Sequence, residues 1–281
     1  MLSSRSGKSI GILAAVFALL LAVAGSAQAQ RLLPDVSGMA PLSSSAAGYE
    51  FYFARLIYGA GSSRLGAGFR GRGRFGSSWT TDMPEAEHFF MSGVNRLTRL
   101  HGSPASRYSA EGAVTINLRD GTVFDYPWLY AVEVGYWTLD TEEADILREY
   151  LLRGGFLMVD DFHGTQEWQG FVSTMQKVFP DRPIIDIPDD DEVFHVLYDL
   201  DEKIQIPGLA ALYNGQTWER DGYDPAWRGI YDDAGRLIVA INHNMDLGDA
   251  WEHADTPGYP EPMTALAYRF AVNYVVYSMT H

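Results

Sequence analysis

From residue 50 onward the chain alternates short, densely apolar runs with longer stretches whose apolar residues recur at helical spacing. Residues 50–58, rich in aromatic and branched side chains, read as a first, largely buried strand. Residues 84–101 repeat Phe89, Phe90, Val94 and Leu97 at helical spacing. Residues 113–118 form a short strand before the turn Arg119-Asp120-Gly121, and residues 128–134 another buried strand. Asp140 or Thr141 caps a helix over 142–153, whose Ile146, Leu147, Tyr150 and Leu151 share a face and whose stop is Gly154-Gly155. The uniformly apolar run 156–159 follows as a fully buried strand.

Beyond it the pattern predicts a helix over 168–179 and a strand over 184–187. The run Asp189-Asp190-Asp191-Glu192 then reads as a solvated, capping turn. Residues 229–231 and 237–241 flank Asp232-Asp233-Ala234-Gly235, which has the composition of a hairpin turn. Residues 263–279 are apolar nearly all round, so this last helix should be buried against the sheet. Strands alternating with helices argue for a mostly parallel, three-layer α/β domain with a local antiparallel hairpin near its C-terminal end.

The first 48 residues follow a different rule. Arg5 and Lys8 precede an uncharged apolar run over 10–25, and Ala27 and Ala29 supply the small residues that a signal peptidase reads. Residues 1–29 are therefore expected to be a cleaved signal peptide, 30–48 a flexible tether, and 49–281 a single α/β domain. The run is shorter than the roughly 20 residues of a spanning helix, which leaves an uncleaved inner-membrane anchor as the alternative to a periplasmic or extracellular protein. Without Arg5 and Lys8 the chain has 19 basic against 36 acidic residues, a balance that repels nucleic acid. It has no cysteine, which excludes disulfides, thiolate metal sites and cysteine nucleophiles together.

Ligands of open α/β sheets bind beyond the carboxyl ends of the strands. Three polar clusters follow strands in this way: Asp160-Asp161-Phe162-His163, the run from Asn242 through Asn244 and Asp246 to Glu252 and His253, and Glu133 with Gly135 and Tyr136. Carboxylates beside a histidine suit a divalent metal, here Asp160, Asp161 and His163, or general base chemistry. The same residues equally suit helix caps and loop-amide acceptors. Chain direction should bring Asp160, Asp161 and His163 towards Asn244, Asp246 and Glu252 in one ligand-binding cleft. Residues 59–76, with Arg64, Arg70, Arg72 and Arg74 and no acid, match neither a Walker loop nor a dinucleotide fingerprint; they read as a flexible loop or an anion-docking one.

At several of these positions the sequence resembles a bacterial family, the domain of unknown function 4159. The resemblance is carried by residues 79–87, 126–130, 147–164, 244–252 and 267–277, including Leu-Met-Val-Asp160-Asp161-Phe-His163-Gly and Asn244-Met-Asp246-Leu-Gly-Asp249-Ala-Trp-Glu252. It implies a flavodoxin-like fold similar to class I glutamine amidotransferases. The glutaminase chemistry of those enzymes needs a cysteine that this chain lacks. It also implies an envelope role beside proteins with von Willebrand-type domains, hence a binding or scaffolding module. A metal-assisted hydrolase using Asp160, Asp161 and His163 is the alternative.

Overall fold

The computed structural model describes residues 48–60 and 78–281; the segments expected to be a signal peptide and, but for residue 48, a tether lie outside the described residues, as does most of the Gly/Arg-rich stretch. Nine strands and six α-helices are assigned among them. The strands are β1 (Ala54–Leu56), β2 (Gly59–Ala60), β3 (Val114–Ile116), β4 (Trp128–Val132), β5 (Trp137–Thr138), β6 (Phe156–Asp160), β7 (Ile185–Asp186), β8 (Ala226–Tyr231) and β9 (Leu237–His243). The helices are α1 (Glu85–Leu97), α2 (Thr141–Leu152), α3 (Gly164–Val178), α4 (Leu209–Tyr213), α5 (Leu247–Glu252) and α6 (Glu261–Thr280). No helix among the described residues is long and apolar enough to cross a membrane.

Seven strands form one sheet in the order β3-β1-β4-β6-β9-β8-β7, and β2 pairs with β5 in a small second sheet. The pairs β1–β3, β1–β4, β4–β6 and β6–β9 are parallel, whereas β8 is antiparallel to β9 and β7 to β8. The mostly parallel α/β class and the late hairpin thus follow the sequence pattern. Trp128, Tyr130, Phe156 and Met158 face a core shared with α1, α5 and α6. Their neighbours Leu129, Ala131, Leu157 and Val159 are also fully buried, as a sheet covered on both faces requires.

Asp140 caps α2 through a reciprocal pair with Glu143, whose amide lies 3.0 Å from Asp140 Oδ1. Helix α1 ends at Leu97, and that residue is exposed; Glu87 occupies the buried face instead. Helix α3 begins at Gly164, four residues before the expected Trp168, because its first turn carries no apolar side chain to announce it. The expected strand near 184–187 shrinks to the two exposed residues of edge strand β7. Phe90 stacks on Trp128 with ring centroids 5.9 Å apart and lies 4.6 Å from Trp251. Those contacts lock α1, β4 and α5 together and fix where α5 sits over the sheet edge.

Candidate functional site

Strands β4, β6 and β9 run parallel side by side, so their carboxyl ends share one edge. Each is followed at once by a non-glycine residue in the left-handed region: Glu133 (φ 54°), Asp161 (φ 51°) and Asn244 (φ 64°). Asp and Asn tolerate that conformation better than most side chains, and its concentration along one edge marks a sharply turned rim. Asp82, just before α1, is a fourth such residue (φ 63°) and faces the same rim.

The two polar segments singled out in the sequence meet there. Asp160 is fully buried, and its Oδ2 accepts the amides of Leu247 (2.8 Å) and Gly248 (3.0 Å) and the Tyr130 hydroxyl (3.3 Å). It therefore docks the start of α5 onto the end of β6. Asp246 caps the same helix, with Oδ1 2.8 Å from the Asp249 amide. Asn244 is engaged on every side: Oδ1 accepts the Gly164 amide (2.8 Å), Nδ2 donates to Asp224 O (2.7 Å), and its carbonyl accepts from Gln205 Nε2 (2.9 Å). His163 stands in the N-cap position of α3 without capping it; its Nε2 lies 3.2 Å from Asp161 Oδ1 and its Nδ1 is buried with no hydrogen-bond partner.

The carboxylates converge more tightly where Asp246 and Glu252, both expected in the cleft, meet Asp82 and Asp249, which sequence reasoning did not nominate. Oxygens of Asp82, Asp246 and Asp249 all lie within 4.8 Å of one another, and so do ligand atoms of Asp249, Glu252 and His253. Asp160, Asp161 and His163 do not form such a ligand-spaced group. Residues 205–224 close over the nest. A Cβ on Gly208 would start 2.8 Å from Asp246 Oδ2, 3.0 Å from Glu219 Oε1 and 3.2 Å from Asp249 Oδ2, so only glycine lets the backbone approach this closely. Asp249 Oδ2 also accepts the Leu209 amide at 2.6 Å. Gly248 plays the same part on the other side, against Asp82 and the Tyr130 hydroxyl. An open cleft of about 480 Å³ lies beside the rim, lined by Asp221, Tyr223, Arg228, His243 and Asn244, but Asp82, Asp246 and Asp249 do not open into it.

Burial is the largest cause raising Asp82, Asp161 and Asp246 well above the ordinary carboxylate range, and their acidic neighbours add to it. Asp160 is raised to about 7 by burial against the opposing pull of its backbone donors, and Glu252 to about 7 by burial and then Asp249. Desolvation lowers His243 to about 4, so it is neutral, accepting from Arg228 Nη1 at Nδ1 and donating from Nε2 to Gly164 O (3.3 Å each). The buried Arg55 guanidinium lowers Asp82 but is already bound to Glu87. A nest of this kind either holds protons or takes up a cation.

Together these features define an α/β protein with a carboxylate nest at the carboxyl edge of a mostly parallel sheet. The chain belongs to the family described as domain of unknown function (DUF4159), whose profile matches residues 53–279. No curated protein matches it.

Proposed function

We propose that this chain is an exported, envelope-associated binding module that takes up a hard divalent cation in the nest of Asp82, Asp246 and Asp249. The observation that carries the reading is the Asp82 carboxyl, whose Oδ2 is buried with no hydrogen-bond partner and which shares a ligand-spaced cluster with two further carboxylates. Buried carboxylates crowded together are costly when ionised, and a cation with oxygen ligands relieves them. Partly exposed Glu252 and His253 give the ion its way in. The overall arrangement is taken to be three-layered and amidotransferase-like, without glutaminase chemistry since no thiolate exists.

Calorimetric titration with Ca²⁺, Mg²⁺ and Mn²⁺ tests the reading. Asp246→Asn keeps an oxygen for the Asp249 amide and removes one charge, so cation affinity should fall at least about tenfold while the metal-free protein stays as stable or gains stability. Absence of binding of all three ions at millimolar concentration would defeat the proposal.

Export and envelope association rest on the N-terminal pattern of a positive flank, apolar run and Ala27-Gln-Ala29, and on the family resemblance. Amino-terminal sequencing of the mature protein should read from Gln30. An intact Met1 in the membrane fraction would make the segment an anchor.

A second reading, a metal-assisted hydrolase, is favoured by His163, whose buried and unpartnered Nδ1 belongs to an imidazole held against Asp161. Ester turnover by the cation-loaded protein, lost in His163→Gln, would move the assignment to that class.

A further inference from the structure

We propose that the nest is one half of a binuclear cation centre, with Asp249 bridging a carboxylate position made with Asp82 and Asp246 and a histidine-containing position made with Glu252 and His253. This rests on the cation reading above. Asp246, Asp249, Glu252 and His253 are spaced by three, three and one residues, and the short helix α5 brings Asp249, Glu252 and His253 onto one side, as positions three and four apart must be. Asp82 comes from the opposite wall, and its unpartnered buried Oδ2 is the feature that acids exposed on a helix lack.

The second position has the spacing of a coordination shell rather than of hydrogen-bonded groups. His253 Nε2 stands 3.7 Å from Asp249 Oδ1 and 3.9 Å from Glu252 Oε2, too far for hydrogen bonds. Ligands held about 2.0–2.4 Å from a common ion lie roughly 3–4 Å from each other, which these separations match. The other ring nitrogen, Nδ1, lies 3.4 Å from Thr256 Oγ1, a hydroxyl placed to orient the imidazole as the outer partner of a ligating histidine does. Asp249 presents its two oxygens in different directions, Oδ2 to the Leu209 amide beneath Gly208 and Oδ1 towards His253, which is how one carboxylate serves two ions. An all-oxygen position favours a hard cation; adding imidazole extends the choice to first-row transition dications. Mn²⁺ satisfies both.

Equilibrium dialysis of the full mature chain against Mn²⁺, with metal analysis and electron paramagnetic resonance, decides the matter. Two ions per chain with a spin-coupled signal are expected. His253→Ala should retain one ion and lose the coupling, and Thr256→Val should weaken only the second ion, by about tenfold or more. Neither substitution should move the metal-free unfolding transition, since both side chains are at the margin of the nest. One ion in the wild type, or two coupled ions in His253→Ala, overturns the second position and leaves the first standing. No bound ion at all overturns both.

Discussion

The metal-free protein should lose stability as pH rises from about 5 to 8, and a divalent cation should restore it most at the alkaline end. In the unfolded chain the carboxyls titrate near 4. In the folded chain Asp160 and Glu252 titrate at about 7, and Asp82, Asp161 and Asp246 are raised as well. Between the two values the folded state binds more protons than the unfolded state, so unfolding free energy falls with rising pH. His243, depressed to about 4, acts in the opposite sense between about 4 and 6.5, where the unfolded state takes its proton. One imidazole opposes five carboxyls, and above 6.5 the carboxyls are joined in the same sense by His195, which its bonds to the Asp189 carbonyl and the Asp199 carboxylate raise. Asp181, lowered to about 2 by Arg148, exerts its effect only below about pH 4. The net loss should amount to a few kcal/mol, on the order given by shifts of this size. A cation competes with these protons, so its stabilisation should grow across the same window, reaching about 2.7 kcal/mol when present at a hundred times its dissociation constant. Denaturant midpoints at pH 5, 6, 7 and 8, with chelator and with Ca²⁺, provide the check. Metal-free stability that climbs from pH 6.5 to 8 would contradict the protonated nest.

What the sequence made legible follows from how each feature is encoded. The strands around Trp128 and Phe156 are short, uniformly apolar runs, and a run of that kind has few places to go but the centre of a covered sheet. The hairpin was equally plain, because Asp232 to Gly235 carries its own turn chemistry and Gly235 adopts φ 82°. The meeting of Asp160 with the segment after β9 followed from chain direction alone. Helix α5 was hidden, since six residues inside a polar run read as loop until Asp246 is seen to cap them. With that helix goes the three-residue spacing that groups Asp249 with Glu252 and His253. Asp82 has no local signal at all: it lies more than 160 residues from Asp246, and only the packing of α1 on β4 and α5 brings it in. Arg55 fell inside the expected first strand, but nothing local announces that its charge occupies the middle of β1 with no exposed surface, because its partner Glu87 lies 32 residues on.

Replacing that arginine with methionine should destabilise the protein by about 3–5 kcal/mol, the usual cost of breaking a buried ion pair from one side. Arg55 Nε donates to Glu87 Oε1 at 2.5 Å, and Nη1 donates to the carbonyls of Trp79 (3.1 Å) and Thr81 (2.9 Å). Its guanidinium also lies over Tyr130, 5.0 Å from the ring centre. Take it away and Glu87, fully buried and with Oε2 already lacking a partner, becomes an uncompensated charge facing two orphaned carbonyls. Lysine is no substitute, because a single ammonium cannot span a carboxylate and two carbonyls in one plane. Removing both charges together is a different experiment: Arg55→Met with Glu87→Met should recover much of the loss, as buried pairs exchanged for apolar side chains commonly do. The cation nest separates the two outcomes. Thr81 adjoins Asp82, so the carbonyl ties from Arg55 hold the backbone that carries the Asp82 carboxyl to Asp246 and Asp249. The double variant should therefore regain stability without regaining full cation affinity. Urea titrations of the four proteins form the cycle, with cation titrations run alongside. A single-variant cost below about 1 kcal/mol, in the range of surface ion pairs, would mean that this pair is not the anchor of the rim.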